Sequence, residues 1–159
     1  MFKFLKKKDG ADTFYSFGSG KILALDKVPD QVFAEKMMGD GFALDITDGN
    51  IYAPVDGEVT LVFPTGHAFG LTTASGVEVL IHIGIDTVEL DGEGFTGKVK
   101  QGDSVKAGDL LTVVDLDFIK SKGKPTITPL IFTSGNKIEL LKENEDVTKD
   151  STDIFKFTE

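Results

Sequence analysis

Short apolar runs, repeatedly cut by glycine, leave this chain little choice of fold. Lys21-Ile22-Leu23-Ala24-Leu25, Phe42-Ala43-Leu44-Asp45-Ile46, Val59-Thr60-Leu61-Val62-Phe63, Val77 to Ile83, Leu110 to Val114 and Ile127 to Phe132 each have the length and composition of a strand. Turn sequences stand between them: Pro54-Val55-Asp56-Gly57, Ser75-Gly76, Gln101-Gly102-Asp103 and Ala107-Gly108-Asp109. Strands reversed this often pair with their neighbours as antiparallel hairpins, because parallel pairing needs a long crossover, usually a helix. No βαβ alternation is present. The pattern predicts an all-β fold, a sandwich or barrel with short helical turns.

Helix is confined to two places. Pro29 to Gly39 is the better one, with Asp30 as N-cap, Gly39 as stop, and Phe33 and Met37 expected on one face. Asp117 to Lys122 predicts a second short turn. Glu143 to Asp153 reads as an exposed loop before a last strand at Ile154-Phe155-Lys156-Phe157. No linker interrupts this pattern, so residues 14–159 are expected to form one domain behind a flexible basic segment, 1–13. That segment opens Met1-Phe2-Lys3-Phe4-Leu5-Lys6-Lys7-Lys8 and has neither the apolar core nor the cleavage site of a signal peptide. Two readings stay open for residues 1–8: a solvated tail, or a peripheral contact with an anionic membrane surface through the lysines. Nothing approaches the ~20 apolar residues of a membrane span, and a cytoplasmic location is expected.

Composition removes most chemistries. All 17 basic residues are lysine, against 26 acidic ones, for a net charge of −9. Such a chain is a poor partner for nucleic acid, and none is expected. The absence of cysteine excludes disulfide frameworks, thiol nucleophiles, zinc fingers and iron–sulfur clusters. Gly92-Glu93-Gly94-Phe95-Thr96-Gly97 matches G-x-G-x-x-G on paper, but no helix follows and Glu93 would repel phosphate. The phrases from Ala53 to Val59 and from Val99 to Asp109 look like turns of biotinyl and lipoyl carrier domains. No Met-Lys-Met or similar modifiable lysine accompanies them, so they are a hint of fold alone.

What remains is imidazole. The two histidines, His67 and His82, stand fifteen residues apart with the Ser75-Gly76 turn between them. A hairpin closed there would bring the rings together. His82 also lies in an apolar strand, where a histidine is most often a hydrogen-bonded core residue. Spacing alone leaves both readings open.

Gly76-Val77-Glu78-Val79-Leu80-Ile81-His82-Ile83-Gly84-Ile85-Asp86-Thr87-Val88 closely resembles the signature of the glucose-type enzyme IIA of the bacterial phosphoenolpyruvate:sugar phosphotransferase system. The resemblance extends to Pro29 to Lys36, Gly39-Asp40-Gly41, Ala53 to Gly57 and Glu89 to Phe95, covering about residues 16 to 135 in register. It implies an antiparallel β-sandwich of the flattened barrel-sandwich, duplicated-hybrid-motif type. It implies phosphorylation of His82 on Nε2, with His67 as a second imidazole facing it, the Thr65 hydroxyl orienting His67, and the Gly84 carbonyl fixing the His82 tautomer. Backbone amides from Gly84 to Thr87 are expected to cradle the phosphoryl oxygens.

The implied partners are the histidine phosphocarrier protein (HPr) and the enzyme IIB domain of a sugar permease. They would dock on Val32, Phe33, Met37, Met38, Phe63, Phe69, Leu80 and Val88, with Asp30 and Asp86 at the rim. Gln31 and Leu80 depart from the residues common in close relatives. No cofactor is required, although in this family His67 and His82 can share Zn²⁺ with a partner. Two other functions compete. One is a zinc peptidase of lysostaphin-like fold, suggested by the H-x-x-x-D spacing of His82 and Asp86, with His67 as third ligand. The other is a regulatory binding module that acts by docking alone.

Overall fold

Alternation of side chains decides which face of each strand is buried, and here both faces of the central strands are covered. The structure, a computed structural model, describes residues 12–158. In chain order its elements are β1 (Gly20–Ala24), α1 (Gln31–Ala34), β2 (Gly41–Ile46), β3 (Asn50–Tyr52), β4 (Gly57–Val62), β5 (Ala68–Thr72), β6 (Glu78–His82), β7 (Phe95–Gly97), β8 (Ser104–Val105), β9 (Leu110–Val114), α2 (Leu116–Ser121), β10 (Ile127–Phe132), β11 (Lys137–Leu140), β12 (Asp146–Val147) and β13 (Phe155–Thr158). Single 3-10 turns occupy Leu25–Lys27 and Thr87–Leu90.

An eight-stranded sheet runs β12-β1-β2-β10-β6-β5-β4-β8, with smaller sheets β3-β9-β7 and β11-β13. The pairings are antiparallel, and the fold is the expected β-sandwich. Val79 and Ile81 of β6 enter the main core with Phe17, Phe42, Phe69, Phe132 and Leu111. Leu80 points the other way, into a second cluster with Phe33, Ala43, Ala68, Ile85 and Ile131. Burial on both sides explains why β6 reads as nearly continuous apolar sequence. His82, two residues beyond Leu80, shares the second face.

The first helix is shorter than its sequence suggests. Asp30 caps it, accepting from the amides of Val32 and Phe33 at 2.9 and 3.4 Å, an arrangement worth about 1 kcal/mol. It ends at Ala34, and Lys36 rather than Gly39 takes the left-handed turn at φ 60°. Phe33 and Met37 therefore do not share a helical face: Phe33 is buried and Met37 is 67% exposed. Asp40 holds the chain here by accepting from Gly41 and Ile138 amides and pairing with Lys36.

The second helix forms as expected, one residue earlier, capped by Asp115. The expected loop from Glu143 to Asp153 contains β12, which buries Val147 and pairs with β1. Of the expected basic segment 1–13, only Asp12 and Thr13 are among the described residues, so its flexibility and membrane contact lie outside them.

Candidate functional site

The hairpin of β5 and β6 builds the site. Its register pairs Ala68 with His82 and Thr72 with Glu78, closing through the turn at Ser75-Gly76. His67 sits just before β5, and its carbonyl accepts the Ile83 amide at 2.7 Å. This register sets the two imidazoles side by side, ring centroids 4.9 Å apart and planes at 79°. Phe63 packs edge-on to His67 at 5.2 Å, and Phe33 lies 5.1 Å from His82.

Each ring is held by Nδ1. His82 Nδ1 lies 2.9 Å from the Gly84 carbonyl oxygen. A carbonyl only accepts, so Nδ1 carries the proton and neutral His82 keeps its lone pair on Nε2. His67 Nδ1 lies 2.5 Å from Thr65 Oγ1, with His67 itself only 2% exposed. Burial, and then the neighbouring His82, push the His67 pKa down to about 4. His82 is also lowered by burial, although the Gly84 carbonyl and the carboxylates of Asp30 and Asp86 pull in the opposite direction. Both rings are neutral near pH 7. The pair can therefore offer an unprotonated nitrogen as a nucleophile on an apolar face.

The family model for the phosphoenolpyruvate-dependent sugar phosphotransferase system, EIIA 1, matches residues 12–138. The chain belongs to this family. A glucose-specific EIICBA component of the phosphotransferase system from Streptococcus pneumoniae is 51% identical over 135 residues, 85% of this chain but 19% of that protein. The chain thus spans about a fifth of that relative's length. Among solved structures, the glucose permease IIA from Mycoplasma capricolum superposes with a TM-score of 0.80 at 43% identity, covering 89% of this chain and 93% of that one. By that membership the chain is an EIIA component of a sugar phosphotransferase system.

Against this EIIA site, several expectations need correction. Phe69 is fully buried in the main core and cannot meet a partner. Its neighbour Ala68 faces His82, so alternation turns Phe69 to the opposite side. Phe33 and Leu80 are 6% exposed and support the surface from below. Val32, Met37, Met38 and Val88 are exposed. The amides of Gly84 and Ile85 do not face outward as a phosphate cradle; they donate to Thr128 Oγ1 and the Pro125 carbonyl. The zinc-peptidase triad of His67, His82 and Asp86 does not assemble, since no group of three such side chains gathers among the described residues. Sequence reading also missed Leu61, 41% exposed, which lines a groove with Phe63, Gly70 and Leu80. It missed Thr128 as well, which no local signal could reveal.

The buried His67 couples folding to pH. An unfolded chain protonates this imidazole below about pH 6.5, whereas the folded EIIA resists until about pH 4. Stability is therefore unaffected by His67 above 6.5 and is lost as pH falls towards 4, by about 3 kcal/mol at the lower end. Urea unfolding of wild type and His67→Gln across pH 7 to 4 measures the difference. The wild type should lose more stability on acidification than the variant; parallel curves would contradict a buried neutral ring.

Proposed function

We propose that this EIIA chain accepts a phosphoryl group on Nε2 of His82 from the histidine phosphocarrier protein and passes it to the IIB domain of a glucose-type sugar permease. The observation that supports this most directly is the bond between His82 Nδ1 and the Gly84 carbonyl, which leaves Nε2 as the reactive nitrogen, beside a second imidazole. The N–P bond at Nε2 forms as the donor's N–P bond breaks, and no proton need move. The ring becomes positive while keeping Nδ1–H. The Gly84 carbonyl and the carboxylates of Asp30 and Asp86 favour that charge. His67, steadied by Thr65, faces the group being transferred, where positioning and charge stabilisation provide most of the catalysis.

Val32, Met37, Met38, Phe63 and Val88, with Asp30 and Asp86 beside them, suit a partner with a basic, partly apolar face. This chain has no arginine, so guanidinium help in transfer must come from that partner. Two imidazoles are two zinc ligands at most, so a shared Zn²⁺ would need a carboxylate from outside, and the phosphoryl step uses none. No helix among the described residues is long and apolar enough to cross a membrane. Transfer to IIB would occur at the cytoplasmic face. Incubation with phosphoenolpyruvate, enzyme I and the phosphocarrier protein should leave an acid-labile phosphoryl group on this chain. A chain that stays unlabelled while the phosphocarrier is fully phosphorylated overturns the proposal.

A further inference from the structure

The carbonyl that sets the His82 tautomer belongs to a glycine in the left-handed region, φ 70°, and glycine adopts negative φ about as readily. Something must hold it. The peptide before Gly84 is gripped at both ends by hydroxyls. The Thr87 Oγ1 donates to the Ile83 carbonyl at 2.5 Å, and the Gly84 amide donates to Thr128 Oγ1 at 3.2 Å. Thr128 spends its own hydroxyl proton on the Thr126 carbonyl at 3.0 Å, so a lone pair is left to receive the Gly84 amide. Thr126 is in turn tied to Asp45 of β2 at 2.8 Å. The next peptide is held by the Ile85 amide donating to the Pro125 carbonyl at 3.3 Å. Thr87 and Thr128 are both fully buried. The fit is close: a Cβ on Gly84 would lie 2.7 Å from Thr87 Cγ2 and 2.9 Å from the Pro125 oxygen.

We infer that Thr128, with Thr87, is a positioning residue for phosphoryl transfer: the two hydroxyls clamp the Ile83–Gly84 peptide so that the following carbonyl is aimed at His82 Nδ1. Neither threonine touches the reacting nitrogen. Their effect reaches it through one carbonyl, in the way that outer partners of a ligating histidine fix its tautomer. The inference rests on His82 being the phosphoryl acceptor, and it makes a prediction that does not need phosphorylation to be read.

Thr128→Val keeps the shape of the side chain and removes the acceptor. In the variant the Gly84 amide loses its partner and the loop its aim. Two-bond ¹⁵N–¹H correlation of the imidazoles, at pH 7.5, should show wild-type His82 wholly as the Nδ1–H tautomer. Thr128→Val should show a substantial Nε2–H population, together with phosphoryl acceptance slowed about tenfold. Thr128→Ser, which restores the hydroxyl, should recover both readings. Thr87→Val tests the other end of the clamp in the event that Thr128→Val does not fold. If the folded valine variants keep His82 wholly Nδ1–H and accept phosphate at the wild-type rate, the clamp is structural only and the inference fails. If the tautomer shifts as expected but wild type itself takes up no phosphoryl group, the clamp stands and the phosphoryl reading of the site falls.

Discussion

His82→Gln should take up no measurable phosphoryl group. Removal of a nucleophile costs on the order of 10⁶ in rate, far beyond what a labelling assay can follow. Glutamine is an apt replacement because the native ring is neutral and only half-buried, so no ion pair or core packing is lost with it. Its amide nitrogen can still donate to the Gly84 carbonyl, which should keep the loop in place. A urea midpoint close to wild type, with label absent, separates loss of chemistry from loss of fold. Normal labelling of the folded variant would place the acceptor elsewhere, and with a single other histidine in the chain, His67 would be the next residue to test.

His67→Gln should behave differently in the two directions of transfer. Acceptance should persist, since the nucleophilic nitrogen and its tautomer depend on Gly84 and not on His67. Onward transfer should slow by about 10² to 10³, the loss found when one group stabilising developing charge is removed. The reason lies in the electrostatics of the pair. Before phosphorylation His67 is neutral, held down by burial and by its neighbour. A phosphoryl dianion on His82, as proposed, would reverse that balance and draw His67 towards its protonated, donating form. The group would then leave with a cation beside it. Loading each protein to completion and chasing with the IIB domain measures the step directly. An unchanged chase rate would remove His67 from the mechanism.

What could be read from the sequence was local. The turn at Ser75-Gly76 between two strand-like runs made a hairpin joining His67 and His82 one of two open readings, and the observed register, Ala68 against His82, is the one that brings them together. The cap at Asp30 was equally legible. What could not be read depended on contacts distant in sequence. Thr128 meets Gly84 across 44 residues, and no motif marks a buried threonine as the holder of a particular peptide. The docking residues were misjudged where period and exposure were confused: Phe69 looked like its apolar neighbours but stands on the wrong face. The first helix was overextended because Phe33 and Met37 have helical spacing, yet Met37 stays 67% exposed and adds no buried face to stabilise a longer helix.

The placing of both imidazoles on one hairpin gives its turn an unexpected intolerance. Exposed turns usually absorb insertions and deletions freely. Here Thr73 to Val77 acts as a ruler. Shifting β6 by one residue against β5 would turn Leu80 and His82 into the main core and bring Val79 and Ile81 to the partner-facing side. The tip is itself pinned, with Thr73 buried and accepting the Val77 amide and Gly76 at φ 95°, so its length is held by its own bonds. The length of a surface loop is in this protein as much a part of the site as the histidines it separates.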